Sequence, residues 1–107
     1  MHIGLILTKT PAEEGFQTFI QFANMYQGND EVTIYMVGNG VFSARKGHLN
    51  EDLISNLLEN SIIYANSDDL KARGIKEEDL IEGINSIEGY DNLVVNIMEK
   101  FDQILSF

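Results

Sequence analysis

The stretch Ser61-Ile62-Ile63-Tyr64-Ala65-Asn66-Ser67-Asp68-Asp69-Leu70-Lys71-Ala72-Arg73-Gly74-Ile75 decides the fold. Its first part, Ile62-Ile63-Tyr64-Ala65, is apolar, β-branched and aromatic, the composition of a strand buried on both faces. The run breaks at Asn66-Ser67, whose side chains accept from free helix N–H groups, so one of the two is expected as an N-cap. Asp68 and Asp69 then fall in the first helical turn, where the helix dipole favours negative charge. Lys71 and Arg73 fall near the other end, where it favours positive charge. Gly74 supplies the left-handed residue that closes the helix. The pattern is a buried strand running straight into a short, doubly capped helix. In an open α/β sheet, ligands and chemistry gather at the carboxyl end of such a strand.

Upstream, Ile3-Gly4-Leu5-Ile6-Leu7 is another continuous apolar run, closed by the loop Thr8-Lys9-Thr10-Pro11. Pro11, Glu13 and Glu14 suit a helix start. Phe16, Phe19, Ile20, Ala23 and Tyr26 recur at helical spacing as its sheet-facing stripe. Phe22 turns away from that stripe toward Met25 and reads as surface for association. Residues 32–37 form the next strand, closed by Gly38-Asn39-Gly40. Residues 41–47 read as an irregular or single-turn segment over the carboxyl edge, not as a hairpin partner. Asn50, before Glu51 and Asp52, is expected to cap a helix burying Leu53, Ile54, Leu57 and Leu58.

Downstream, residues 77–80 read as one helical turn and residues 82–85 as a weak fourth strand. A last helix is expected from Tyr90, marked by Leu93, Val94, Ile97, Met98 and Phe101, before a closing strand over residues 102–107. Strands alternating with helices imply a parallel sheet covered on both faces. The expected fold is one α/β domain over residues 1–107, a three-layer α/β/α sandwich on a five-stranded, mainly parallel sheet.

The bulk numbers narrow the function. The formal net charge is −10, from 17 acidic against 7 basic side chains. Such a field repels phosphate backbones and anionic lipid, which argues against nucleic-acid and membrane-surface roles. No apolar run approaches the ~20 residues that span a bilayer. The N-terminus reads as a strand and not as a leader peptide. With no cysteine there is no disulfide framework and no thiolate nucleophile or metal ligand. A cytoplasmic protein is the expectation.

The chain resembles the DsrE/DsrF/TusD-like family of small sulfur-relay proteins. The resemblance rests on Ile3 to Lys9, Gly38-Asn39-Gly40-Val41, the segment Leu70-Lys71-Ala72-Arg73-Gly74-Ile75 and the closing Asp102 to Phe107, and so covers nearly the whole chain. It implies a parallel sheet in the order 4-3-2-1-5, assembly into homo-trimers or hexamers, and a sulfur-relay protein as partner. Members active in sulfur transfer carry a cysteine just after the third strand, at the position of Asn66, and some carry a second at the position of Asp69. Neither residue here holds a persulfide, because the carrier must be a thiol.

The candidate site residues are Lys9, Asn39, Arg45, Asn66 and Ser67 for ligand binding, with Asn66 and Asp69 as candidates for catalysis. Asp68-Asp69 has the form of an acid–base pair, although helix capping accounts for both carboxylates. Arg45, Lys46 and His48, with Lys9, form a basic group on the Asn66 edge suited to a small anion or an acidic partner surface, or to an ion pair with Asp68 or Asp69. No flavin phosphate loop is expected at Thr8-Lys9-Thr10, since Glu13 and Glu14 repel phosphate there. His2 and His48 fall at different ends of the sheet, so neither a metal site nor a cofactor is expected. Two functions compete. One is a non-catalytic oligomeric binding or assembly subunit related to sulfur-relay proteins. The other is an enzyme using Asn66 and Asp69 with Lys9 or Arg45 on a small substrate.

Overall fold

The structure is a computed structural model that describes residues 1–89 and 99–107. Five strands form one sheet: β1 (His2–Leu7), β2 (Glu31–Met36), β3 (Ser61–Asn66), β4 (Asn85–Ile87) and β5 (Gln103–Ser106). Their order is β4-β3-β2-β1-β5 and every pairing is parallel. Three α-helices accompany them: α1 (Glu14–Gln27), α2 (Glu51–Leu58) and α3 (Ser67–Ala72). Two short 3-10 segments, Gly38–Ala44 and Glu77–Asp79, complete the described elements. Among the described residues, no helix is long and apolar enough to cross a membrane.

Side-chain alternation builds the core. The register stacks Leu5, Ile34 and Ile63 in one row and Leu7, Met36 and Ala65 in the next. All six are fully buried, beneath Phe16, Phe19, Ile20 and Ala23 of α1 and Ile54 and Leu57 of α2. Both helical stripes fall where the spacing of their apolar residues puts them. On the opposite face Tyr35 stacks on Tyr64 at 5.4 Å between ring centroids, and Phe101 meets His2 at 4.4 Å. The helix expected from Tyr90, with Leu93, Val94, Ile97 and Met98, lies outside the described residues apart from its expected end.

Four expectations are corrected. Ile62 is 52% exposed while its neighbour Ile63 is wholly buried, so β3 is covered unequally on its two faces. Strand β4 pairs with Tyr64, Ala65 and Asn66, and among the described residues no strand stands beside Ile62 on that side. β4 itself starts at Asn85, because Gly83 takes φ +102° and the Ile84 N–H closes a turn onto the Ile81 carbonyl at 3.1 Å. Asn50 precedes α2 but makes no side-chain cap, and its amide reaches instead to the Pro11 carbonyl at 3.4 Å. Phe22 is not free surface: it packs on Phe107 at 5.4 Å and on Tyr26 at 6.4 Å.

The 3-10 segment Gly38–Ala44 lies over the carboxyl edge and is pinned at its start. The Val37 N–H donates to the Leu7 carbonyl at 3.0 Å, and the chain then folds back on the end of β1. A Cβ on Gly40 would stand 1.9 Å from the Leu7 oxygen, so only glycine allows this approach.

The unequal cover of β3 has a measurable consequence. Ile63→Ala should destabilise the protein by about 2–5 kcal/mol in denaturant melts, the range for an aliphatic side chain removed from a packed core. Ile62→Ala should cost less than half as much. Equal losses would mean that the two faces are equally buried.

Candidate functional site

The β3–α3 junction forms as its residues dictate. Asn66 is the N-cap of α3, and its Oδ1 accepts from the Asp69 N–H at 3.1 Å. At the other end Gly74 takes φ +68°, and the Ile75 N–H closes onto the Leu70 carbonyl at 2.9 Å. Asn66 is 0% exposed, and its Nδ2 is buried with no hydrogen-bond partner among the described residues. A buried amide left this way costs about 1–3 kcal/mol, so this position is held against a penalty.

The cap aims Asp69 at the neighbouring loop. Asp69 Oδ2 accepts from the Gly38 N–H at 2.8 Å, tying α3 to the start of the 3-10 segment. Arg73, one turn along α3, donates through Nη1 to the Asp69 carbonyl at 3.2 Å and lies 3.5 Å from Asp69 Oδ1. Its Nε and Nη2 both donate to Asn39 Oδ1, at 3.2 and 3.0 Å. Asn39, Asn66, Asp69 and Arg73 thus form one connected network across two loops. Asp69 and Arg73 are mostly covered, with side chains 16% and 25% exposed.

The other candidates lie elsewhere. Lys9 and Arg45 hydrogen-bond none of these four side chains. The stem of Lys9 lies against Gly15, and the Lys9 carbonyl accepts from the Ser43 hydroxyl at 3.3 Å. The Arg45 guanidinium stands 5.9 Å from the centre of the Phe42 ring. The ion pair expected between the basic group and Asp69 is made by Arg73 instead. Ser67 lines a cleft of about 480 Å³ between α3 and β4, with Leu70, Lys71 and Ile75. His48 donates from Nε2 to the Ser43 carbonyl at 2.9 Å and accepts at Nδ1 from the Asn50 N–H at 3.1 Å, so both ring nitrogens are engaged within the fold. Among the described residues, no group of three or more His, Asp or Glu side chains is placed to hold a metal ion.

Sequence reasoning missed Arg73 as part of this edge and assigned it only to the helix dipole. The available signal was its spacing, four residues after Asp69, which places the two on one helical face.

Sheet order and edge geometry together define a small parallel α/β protein whose loops converge beyond the carboxyl ends of β2 and β3. A family model described as DsrH-like protein matches residues 9–103, and the chain belongs to that family. An uncharacterized protein of Methanopyrus kandleri is 31% identical over 98% of this chain and 93% of its own length. Another, from Methanocaldococcus jannaschii, is 30% identical over 100% of both. Among solved structures, a protein of unknown function from Methanobacterium thermoautotrophicum superposes with a TM-score of 0.87 at 17% identity, over 99% of this chain and 98% of that one. The ychN protein of E. coli superposes with a TM-score of 0.81 at 16% identity, over 100% and 99%. At these identities the two superpositions speak for the fold alone.

The network makes a stability prediction. Asn66→Ala should lose about 0.5–2 kcal/mol, the range for a missing N-cap. Asp69→Ala should lose at least as much, since it frees the Gly38 amide and Arg73 together. The double variant should lose less than the sum, because Asn66 positions Asp69. Strict additivity in urea melts would show that the two act independently.

Proposed function

We propose that this DsrH-like chain is a non-catalytic, oligomeric binding or assembly subunit related to the DsrE/DsrF/TusD sulfur-relay proteins. One observation carries the reading. Asn66, at the position where the resemblance puts the carrier cysteine, is wholly buried, and its oxygen serves the backbone of α3. A sulfur carrier needs an accessible thiolate, whereas this residue braces a helix start. Asp69, at the second such position, is likewise engaged by Gly38 and Arg73.

The enzyme alternative draws less support. Its proposed helpers, Lys9 and Arg45, do not meet Asn66 or Asp69, and both oxygens of the Asp69 carboxylate already face partners within the fold, the Gly38 amide and the Arg73 guanidinium. The exposed Met25 and Ile62 offer apolar surface to the trimer or hexamer that the resemblance implies.

Two experiments test this reading. Incubated with a cysteine desulfurase and radiolabelled cysteine, the protein should retain no label after denaturation. Stable bound label would overturn the non-carrier reading. In sedimentation equilibrium at micromolar concentration it should run as a trimer or a multiple of one. A single species of one chain mass, 12.0 kDa, would remove the oligomer.

A further inference from the structure

Beside the Asn66 network lies a second cleft of about 370 Å³, between the loop before α1, the 3-10 segment and the turn before α2. That size falls at the small end of ligand sites, which run roughly 300–1,000 Å³. Its apolar walls are Pro11, Ala12, Phe42 and Leu49, and Leu49 is 98% exposed. Its charged group is Arg45, and no Asp or Glu lines it. In a chain with 17 acidic side chains and a net charge of −10, an acid-free cleft holding an arginine stands out.

Two nearby carboxylates, those of Glu13 and Glu51, bond backbone amides. Glu13 Oε2 accepts from the Thr10 N–H at 2.7 Å, and Glu51 Oε1 accepts from the Gly47 N–H at 3.3 Å. His48 has both ring nitrogens engaged within the fold. That leaves the Arg45 guanidinium, which has no ion-pair partner among the described residues, and the Thr10 hydroxyl, which has no hydrogen-bond partner among them. The Arg45 backbone is well anchored. Arg45 pairs with Leu80 in an antiparallel bridge, the Lys46 N–H donates to the Asp79 carbonyl at 2.8 Å, and the Ile81 N–H donates to the Ala44 carbonyl at 2.9 Å. The Phe42 ring beneath the guanidinium limits its swing further.

We propose that this cleft binds a small amphipathic monocarboxylate, its carboxylate on Arg45, on the side away from Glu13, and its apolar body on Phe42, Pro11 and Leu49. A guanidinium takes a carboxylate through two parallel N–H donors, which fixes the orientation of the acid. The apolar walls then select acids with a hydrocarbon body over small inorganic anions. The proposal deepens the binding-subunit reading by giving it a ligand class, and it places that ligand away from Asn66. A positive desulfurase assay would overturn that reading and leave this cleft untouched, so the two fail separately.

Phenylacetate is the probe, titrated to millimolar concentration into the full chain and followed in amide nitrogen–proton correlation spectra. Saturable shifts should centre on Thr10, Arg45 and Leu49. The neutral phenylacetamide should shift them far less. Arg45→Gln, whose spectrum should otherwise match the parent, should weaken binding by about tenfold or more, as for loss of a charge-assisted pair. Leu49→Ser should weaken it too, while leaving the preference for acid over amide in place. The proposal fails if no shifts appear, if amide and acid act alike, or if Arg45→Gln binds as the parent does. It also fails if these amides shift with protein concentration and not with phenylacetate, since a second copy would then cover the cleft.

Discussion

The carboxylate of Asp69 is the contact on which the carboxyl edge depends. It joins the first turn of α3 to the first amide of the Gly38–Ala44 segment and holds Arg73, which reaches on to Asn39. The two bonds differ in weight. The Gly38 N–H at 2.8 Å is a charge-assisted bond to a mostly covered oxygen, of the kind that contributes about 1.5–3 kcal/mol. The pair with Arg73 at 3.5 Å joins two partly exposed side chains, of the kind that contributes about 0–1 kcal/mol. The amide bond therefore sets the geometry, and the arginine follows it to Asn39.

Asp69 is aimed only because Asn66 caps the same turn, and Asn66 is fixed by its place at the end of a strand paired on both sides. The 3-10 segment is consequently held at three points: by Asp69 at Gly38, by the close approach of Gly40 to Leu7, and by the bridge from Arg45 to Leu80. Clamped this way, the segment presents Phe42 as a fixed wall. Both Arg45 and Arg73 stand 5.9 Å from its ring centre, so one aromatic side chain links the braced network to the open cleft.

What was legible in the sequence was local. A cap at Asn66-Ser67, the acidic first turn and the Gly74 stop are fixed by residues three to eight apart and all formed, with Asn66 as the one of the pair that caps. The α1 and α2 stripes and the alternation of strands with helices were legible for the same reason, since periodicity speaks for whole elements, whereas the strand order came from the family resemblance. What failed depended on distant partners. Ile62 looks as buried as Ile63 until the register shows that β4 begins beside Tyr64. Arg45 lies on the expected edge, yet its direction is set by Leu80, thirty-five residues on. Arg73 joins the site because Asn39, in another loop, happens to face it. Asn50 looked like a cap but serves Pro11 across the sheet edge. No window of sequence contains both partners of any of these contacts.

The same division bears on function. A side chain engaged by two or three partners inside the fold is poorly placed to attack, exchange a proton or carry a group, because each of those acts must first break a bond that holds the edge together. Asp69, Arg73 and His48 are in that position, and Asn66 and Asn39 have given their side-chain oxygens to the Asp69 amide and to Arg73. Arg45 and Thr10 are not so engaged: their backbones are tied down while their polar side-chain groups stay open to the cleft. Binding favours that combination, since an anchored donor loses less freedom on meeting its ligand than a loose one. The strongly acidic composition sharpens the point, because a cleft that holds an arginine and no lining acid is where such a chain repels anions least. An edge that has given its central polar residues to structure keeps its recognition chemistry one loop further on, where rigidity and an unengaged charge coincide.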